Sequence, residues 1–272
     1  MKNILEKLFF WRRWRKRKED EWTVDDFVAS VEEVMKQQEF ENPAIRELHQ
    51  KLGAPFEKRM KKIGLTGNFG TGKSTAASMF EEMGAKLLDA DKIVHDITLP
   101  QTPAWKEIVD FFGNDILLSD HSLDRKKLAT LIFHDETKQR KLEEIIHPKV
   151  KEEISKQLIT LEKMGASFCV IEIPLLYETN MESMFDLIVV VHTPQEIAIS
   201  RACKKHGCSQ EEAQLRWKAQ MPIEEKVKRA DIVIENTGSL EETRVQVERL
   251  YRAWEKGDFS KTVRLSRLHK CT

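Results

Sequence analysis

The chain has 272 residues, 33% of them charged, with 45 basic side chains against 45 acidic ones and a formal net charge of zero. That balance carries no whole-molecule signature for nucleic acid, and no apolar run approaches the roughly 20 residues that a membrane-spanning helix needs. Nothing reads as a secretory signal, and the four cysteines (Cys169, Cys203, Cys208, Cys271) lack metal-type pairing, so reduced thiols in a cytoplasmic protein are expected.

Residues 1–62 read as a polar, mostly helical preface. The first 20 residues carry eight Lys or Arg against three acids. Ile4, Leu8 and Trp11 share one helical face there, and Trp14 precedes the run Arg15-Lys16-Arg17-Lys18. A basic amphipathic segment of this kind packs on the rest of the protein, lies weakly on an anionic membrane surface, or binds RNA; composition leaves all three open. Thr23-Val24-Asp25-Asp26 resembles a capping box before Phe27, Val31, Val34 and Met35, and Asn42-Pro43 opens a second short helix that Gly53 stops.

The phosphate-loop pattern G-x-x-x-x-G-K-[ST] is met by Gly67-Asn68-Phe69-Gly70-Thr71-Gly72-Lys73-Ser74-Thr75. It lies between a short apolar strand, Ile63–Thr66, and a helical pattern, Ala76–Met83, with Met79, Phe80 and Met83 on one face. In that setting the glycines let backbone N–H groups turn inward around a polyphosphate, and the helix N-terminus adds a favourable dipole. Lys73 reaches the β- and γ-phosphates of a nucleoside triphosphate, and the Ser74 hydroxyl completes a magnesium shell.

The next strand, Lys86–Leu88, runs into Asp89-Ala90-Asp91. A carboxylate there orients an acceptor hydroxyl and takes its proton, or holds magnesium through water, or, as Asp91, caps a helix over Lys92–Ile97. Trp105, Ile108, Val109 and Phe112 mark a further helix. Phe168–Ile173 is a compact apolar strand that leads into Pro174-Leu175-Leu176-Tyr177-Glu178. Glu172 within it either holds magnesium through water or is buried against a local partner. Asp186–Val191 and Asp231–Ile234 are two more strands, and Leu240 through Leu250 is helical.

Between those last strands lies a basic stretch: Arg201, Lys204, Lys205, His206, Arg216 and Lys218, followed by Gln220. It is either a solvated helix face or a lid whose cations close over a transferring phosphate and exclude water. Residues 255–272 form a basic tail. Strands alternating with helices over 63–254 predict an α/β fold, a parallel sheet with helices on both sides. Ligands bind beyond the carboxyl ends of such strands, which gathers Gly67–Thr75, Asp89–Asp91 and Glu172–Glu178 around one site.

From Met60 to about Trp254 the chain resembles the dephospho-coenzyme A kinase family. The resemblance rests on an ordered series: Ile63–Thr75, Asp89-Ala90-Asp91, Gly113, Leu123-Asp124-Arg125, Leu142-Glu143 with His147-Pro148, and Pro174-Leu175-Leu176 with Glu178. It continues through Arg201, Arg216 with Gln220, Lys226, and Ala230-Asp231 with Asn236 and Gly238. The resemblance implies a P-loop nucleotide-kinase core with a five-stranded parallel sheet, a helical substrate-binding subdomain and a lid. It also implies transfer of the γ-phosphate of ATP, with Mg2+, to the ribose 3′-hydroxyl of dephospho-coenzyme A, the last step of coenzyme A synthesis.

Carried over by residue, Asp91 positions and deprotonates that hydroxyl, with Asp89 beside it on the substrate side. Gly67 and Gly70 through Thr75 hold the ATP phosphates, Arg201 and Arg216 are lid cations, and Asn236 lies near the adenine. The helical insertion from about Pro103 to Lys163, including Arg125 and His147, forms much of the acceptor pocket; His147 before Pro148 alternatively fixes a helix start. Two positions depart from the family's usual pattern. Asn68-Phe69 stands where glycine–isoleucine is common, and Lys205 where arginine often is. Met60 looks like the family's ordinary beginning, so residues 1–59 are either a true extension or the product of an upstream start assignment; their helix-capping signals favour a true extension.

Competing readings are another nucleoside or nucleotide kinase, or a nucleotide-binding switch; against the switch, Asn236-Thr237-Gly238-Ser239 fails the guanine signature N-K-x-D. For the basic preface, weak membrane contact predicts that anionic vesicles co-sediment the full chain and lose it when residues 1–20 are deleted. Equal sedimentation of both forms would remove that reading.

Overall fold

A computed structural model describes residues 60–258 other than His134, and leaves the side chain of Phe133 undescribed. The basic preface up to residue 59 and most of the basic tail lie outside the described residues. Five strands form one parallel sheet: β1 (Lys61–Thr66), β2 (Lys86–Asp89), β3 (Phe168–Glu172), β4 (Leu187–His192) and β5 (Ile232–Glu235). Their spatial order is β2-β3-β1-β4-β5. Every strand expected from the sequence is present, with its ends moved by one or two residues. β1 starts earlier because Lys61 and Lys62 continue the pairing with Phe168 and Cys169.

β3 and β4 read as unbroken apolar runs because both faces are covered. Cys169, Ile171, Ile188 and Val190 point into one core with Ile154 and Trp217. Phe168, Val170, Val189 and Val191 point into the other, with Phe80 and Trp254. The period-2 alternation of a strand thus sorts neighbouring residues between two helix layers.

Helix α1 (Lys73–Glu82) leaves β1 through the glycine loop, and α2 (Ala90–Ile97) follows β2 directly. Then come α3 (Pro103–Phe112), capped by Thr102, and α4 (Arg125–Phe133), followed by α5 (Glu136–Lys163) with its Asp135 cap. Trp105, Ile108, Leu123, Leu128, Leu142 and Ile145 form a third apolar cluster in this helical layer. α5 runs unbroken for 28 residues through Pro148, so the pair His147-Pro148 does not begin a helix. Flanking turns already satisfy the helix on both sides, and tertiary packing carries it past the missing donor.

α6 (Gln195–His206), α7 (Gln210–Lys218) and α8 (Ile223–Arg229) join β4 to β5, and α9 (Leu240–Glu255) closes the described chain. Ser239 and Glu242 form a reciprocal capping box at the start of α9. Among the described residues no helix is long and apolar enough to cross a membrane.

Trp254, at the end of α9, is completely buried. Its ring stacks on Phe80 with centroids 5.2 Å apart and meets Phe168 edge-on at 5.8 Å. It thereby ties the last helix to α1 and β3. Trp254→Ala is expected to cost about 3–5 kcal/mol of stability, read as a lowered urea midpoint with little change in slope; an unchanged midpoint would show that α9 is not needed for the sheet's core.

Candidate active site

Parallel pairing brings the strand ends level. Glu172 lies opposite Asp89 on one side and opposite Leu65, just before the glycine loop, on the other. Adjacent strands are about 4.8 Å apart, so register alone sets Asp89, Glu172 and the loop in one row.

The loop is held from several directions. Gly72 precedes α1 at φ 92°, and a Cβ there would run into the Asn236 amide; one on Gly70 would meet the Ala198 carbonyl. Both glycines are therefore required by space as well as by backbone conformation. Behind the loop, Asn236 Nδ2 donates to the Thr71 carbonyl at 2.8 Å and Thr193 Oγ1 donates to the same oxygen at 3.1 Å. Thr243 Oγ1 donates to Asn236 Oδ1 at 2.8 Å. Inside it, Thr71 Oγ1 and Lys73 Nζ both donate to the Asn68 carbonyl, at 2.9 and 3.1 Å. In front, the Phe69 N–H donates to Gln220 Oε1 at 2.7 Å and Asn68 Nδ2 to the Met221 carbonyl at 3.1 Å.

The charges around the loop are strongly perturbed. Lys73 is 9% exposed. Burial lowers its pKa to about 8, with Lys226 adding to the shift, while Glu172, Asp91 and Glu178 oppose it. Glu172 is equally buried and is raised above the usual carboxylate range by that burial, although the Ser74 hydroxyl, donating to its Oε1 at 2.9 Å, pulls the other way.

The cap of α2 belongs to Asp89, which accepts from the Asp91 and Lys92 amides at 2.9 and 3.2 Å. The capping alternative for Asp91 is thereby corrected: the helix begins at Ala90, two residues earlier than its pattern suggested. Asp91 itself is exposed. Partial desolvation and then the charge of Asp89 raise its pKa, against the pull of Lys73.

Ser74 and Glu172 place two hard oxygen donors in contact, a chemistry that suits a magnesium ion. Among the described residues no group of three or more His, Cys, Asp or Glu side chains is placed to hold a metal ion. Phosphate oxygens and water would have to complete such an ion's shell, as is usual for magnesium at a triphosphate.

Lys226 enters the sequence reading only through the family series, and Glu178 also as the end of the Glu172–Glu178 segment; the structure pairs them. Lys226 is fully buried, with Nζ 2.9 Å from Glu178 Oε1 and donating to the Pro174 carbonyl at 3.0 Å. Glu178 Oε1 also accepts the Met221 N–H at 2.8 Å. The pair fixes the Gln220-Met221 segment that grips the loop. No local sequence pattern points to this, since the partners are far apart in the chain and belong to different elements. Thr193 and Thr243 were likewise not expected from sequence, because isolated threonines carry no spacing signal.

Other expected residues are spread more widely. Arg201 donates to the Asn236 carbonyl through Nη1 and to the Gly238 carbonyl through Nη2 at 3.3 Å, so it lies against the β5–α9 connection rather than over the loop. Asn236 is 4% exposed and both ends of its amide are engaged. Arg216 on α7 does reach the loop, 5.3 Å from the centroid of Phe69. Thr75 opens α1 beside Ser74.

In the helical layer, Arg125 donates through Nη2 to Thr98 Oγ1 at 3.1 Å and lies 3.1 Å from His95 Nδ1. It borders an apolar pocket of about 180 Å³ between α2 and α5, lined also by Val94, Ile108, Leu128 and Ile146. His147 on α5 is half-buried, and burial lowers its pKa.

The family model for dephospho-CoA kinase matches residues 61–242. The dephospho-CoA kinase of Aquifex aeolicus is 49% identical over 192 residues, which covers 71% of this chain and 96% of that one. A crystal structure from Thermus thermophilus superposes with a TM-score of 0.63 at 36% identity, covering 74% of this chain and 98% of that one. The dephospho-CoA kinase structure from Campylobacter jejuni gives 0.57 at 30%, over 73% and 98%.

Since Lys73 stands near 8 in the free protein, and a phosphate beside it favours the charged form, triphosphate binding should take up protons at mildly alkaline pH. Calorimetry in buffers of different ionisation enthalpy is expected to show uptake that grows as pH rises through about 8, and to lose it in Lys73→Met along with most of the affinity. Uptake that persists in Lys73→Met would assign the proton to another group.

Proposed function

The chain belongs to the dephospho-CoA kinase family, and we propose that it carries out this family's reaction with the residues gathered at its strand ends, Asp91 serving as the acceptor's base. The reaction transfers a phosphoryl group from ATP to the ribose 3′-hydroxyl of dephospho-coenzyme A, the last step in making coenzyme A. The observation that carries the role of Asp91 is its freedom: Asp89 takes both helix amides, and the Asp91 carboxylate remains open two residues beyond. A carboxylate raised by partial burial is a better base than an ordinary aspartate. It accepts a hydrogen bond from the 3′-hydroxyl, aims that oxygen at the phosphorus and takes its proton as the new bond forms.

In the same reading, Gly67 and Gly70 through Thr75 hold the phosphate chain with their backbone N–H groups, and the charged Lys73 faces the β- and γ-phosphates. Arg216, beside the loop, meets charge that develops on the transferring group. Arg201 and Asn236 serve the base end of ATP. Arg125, His147 and the apolar pocket next to them receive the rest of the acceptor. Ser74 and, through water, Glu172 would hold Mg2+, which supplies charge neutralisation between the phosphates. What supports that pairing is the contact between the two donors themselves.

The test is ADP release by the purified chain with ATP and magnesium, with and without dephospho-coenzyme A. Strong stimulation with coenzyme A as product is expected; tight ATP binding without stimulation would point to a different acceptor. Asp91→Asn should lower turnover by roughly 10²–10⁴ while ATP affinity stays within a few fold. Full turnover in that variant would remove Asp91 from the chemistry.

A further inference from the structure

Phe69, half-buried in the phosphate loop, touches both the end of α6 and a side chain of α7. One side of its ring stacks on His206, the last residue of α6, with centroids 5.3 Å apart and planes 27° from parallel. The Arg216 guanidinium of α7 lies 5.3 Å from the same ring centroid. The main chain adds a third attachment, because the Phe69 N–H donates to Gln220 just beyond α7.

Among the described residues, Arg216 is otherwise held only from within its own helix, where Nη2 donates to Glu212 Oε1 at 2.6 Å. An exposed pair of that i,i+4 type is worth a few tenths of a kcal/mol and does not fix a long side chain. An aromatic face as a second restraint, at right angles to the carboxylate in kind if not in geometry, draws the cation toward the loop. An aliphatic side chain of equal size would fill the same space but attract no charge.

We propose that Phe69 is a positioning residue for the transfer, holding the Arg216 guanidinium beside the phosphate loop so that it meets the transferring group already oriented. The loop thereby sets the place of its own lid cation. This rests on the reading of Arg216 as a phosphate cation given above, and the test separates the two.

Four variants are compared for kcat and for the KM of ATP: Phe69→Leu, Phe69→Tyr, Arg216→Met, and Arg216→Met with Phe69→Leu. Phe69→Leu should lower kcat about threefold to tenfold, the scale of one cation–π contact, and leave the KM of ATP within about twofold, since the backbone N–H is retained. Phe69→Tyr, which keeps the face, should hold kcat near the parent value. In the Arg216→Met background, Phe69→Leu should cost nothing more. Thermal unfolding of each variant guards against a general loss of structure.

Equal losses from Phe69→Leu in both backgrounds would overturn the proposal, because the ring would then act on something other than Arg216. Loss in Arg216→Met with parental kcat in Phe69→Leu would overturn it while keeping Arg216 in the chemistry. Parental kcat in Arg216→Met would overturn both readings together.

Discussion

A buried ammonium organises this molecule. Lys73 is almost enclosed, yet the role proposed for it depends on charge, and the protein surrounds it with compensation that falls short of a full ion pair. The Asn68 carbonyl accepts a hydrogen bond from its ammonium group. Glu172, Asp91 and Glu178 favour the charge from farther away, while Lys226 opposes it. A direct carboxylate partner would satisfy the lysine and make it useless for phosphate. The loop's glycines, the asparagine behind it and the buried Lys226–Glu178 pair all serve that arrangement, because each keeps the loop in the one shape that leaves Lys73 under-satisfied.

Much of this was legible in the chain. Apolar runs such as Phe168–Ile173 announced fully covered strands, and the motif Gly67–Thr75 announced the loop, since both depend on local spacing. The end-of-strand rule then brought Asp89–Asp91 and Glu172 to the same place. What escaped the sequence was the division of labour among neighbours. Asp89 and Asp91 are equivalent as letters, and only the helix start at Ala90 decides which one caps. The same holds for Arg201 and Arg216: both stand on basic helices, but one faces the β5–α9 carbonyls and the other faces Phe69. Thr193, Thr243 and Asn236 converge from three elements, a kind of contact that no periodicity encodes.

On the proposed assignment, the acceptor side is built differently from the nucleotide side. Around the loop, hydrogen bonds from several strands and helices over-determine each position. In the helical layer the side chains rest on an apolar cluster of their own, and Arg125 is held by two polar neighbours from α2. Packed apolar contacts are less directional than hydrogen bonds, so this layer can accommodate a long, partly apolar acceptor without the loop changing shape.

The two sides meet along α5. Its first half lends Leu142 and Ile145 to the helical layer's core, and its second half lends Val150, Ile154 and Leu158 to the sheet's core. Ile146 touches both, and Pro148 lies two residues on. A proline removes one rung of the helix ladder and frees the carbonyl one turn back. The rod of about 42 Å is therefore most compliant where it passes from one core to the other. Bending stress between the acceptor's cradle and the sheet collects at that joint, well away from the phosphate loop.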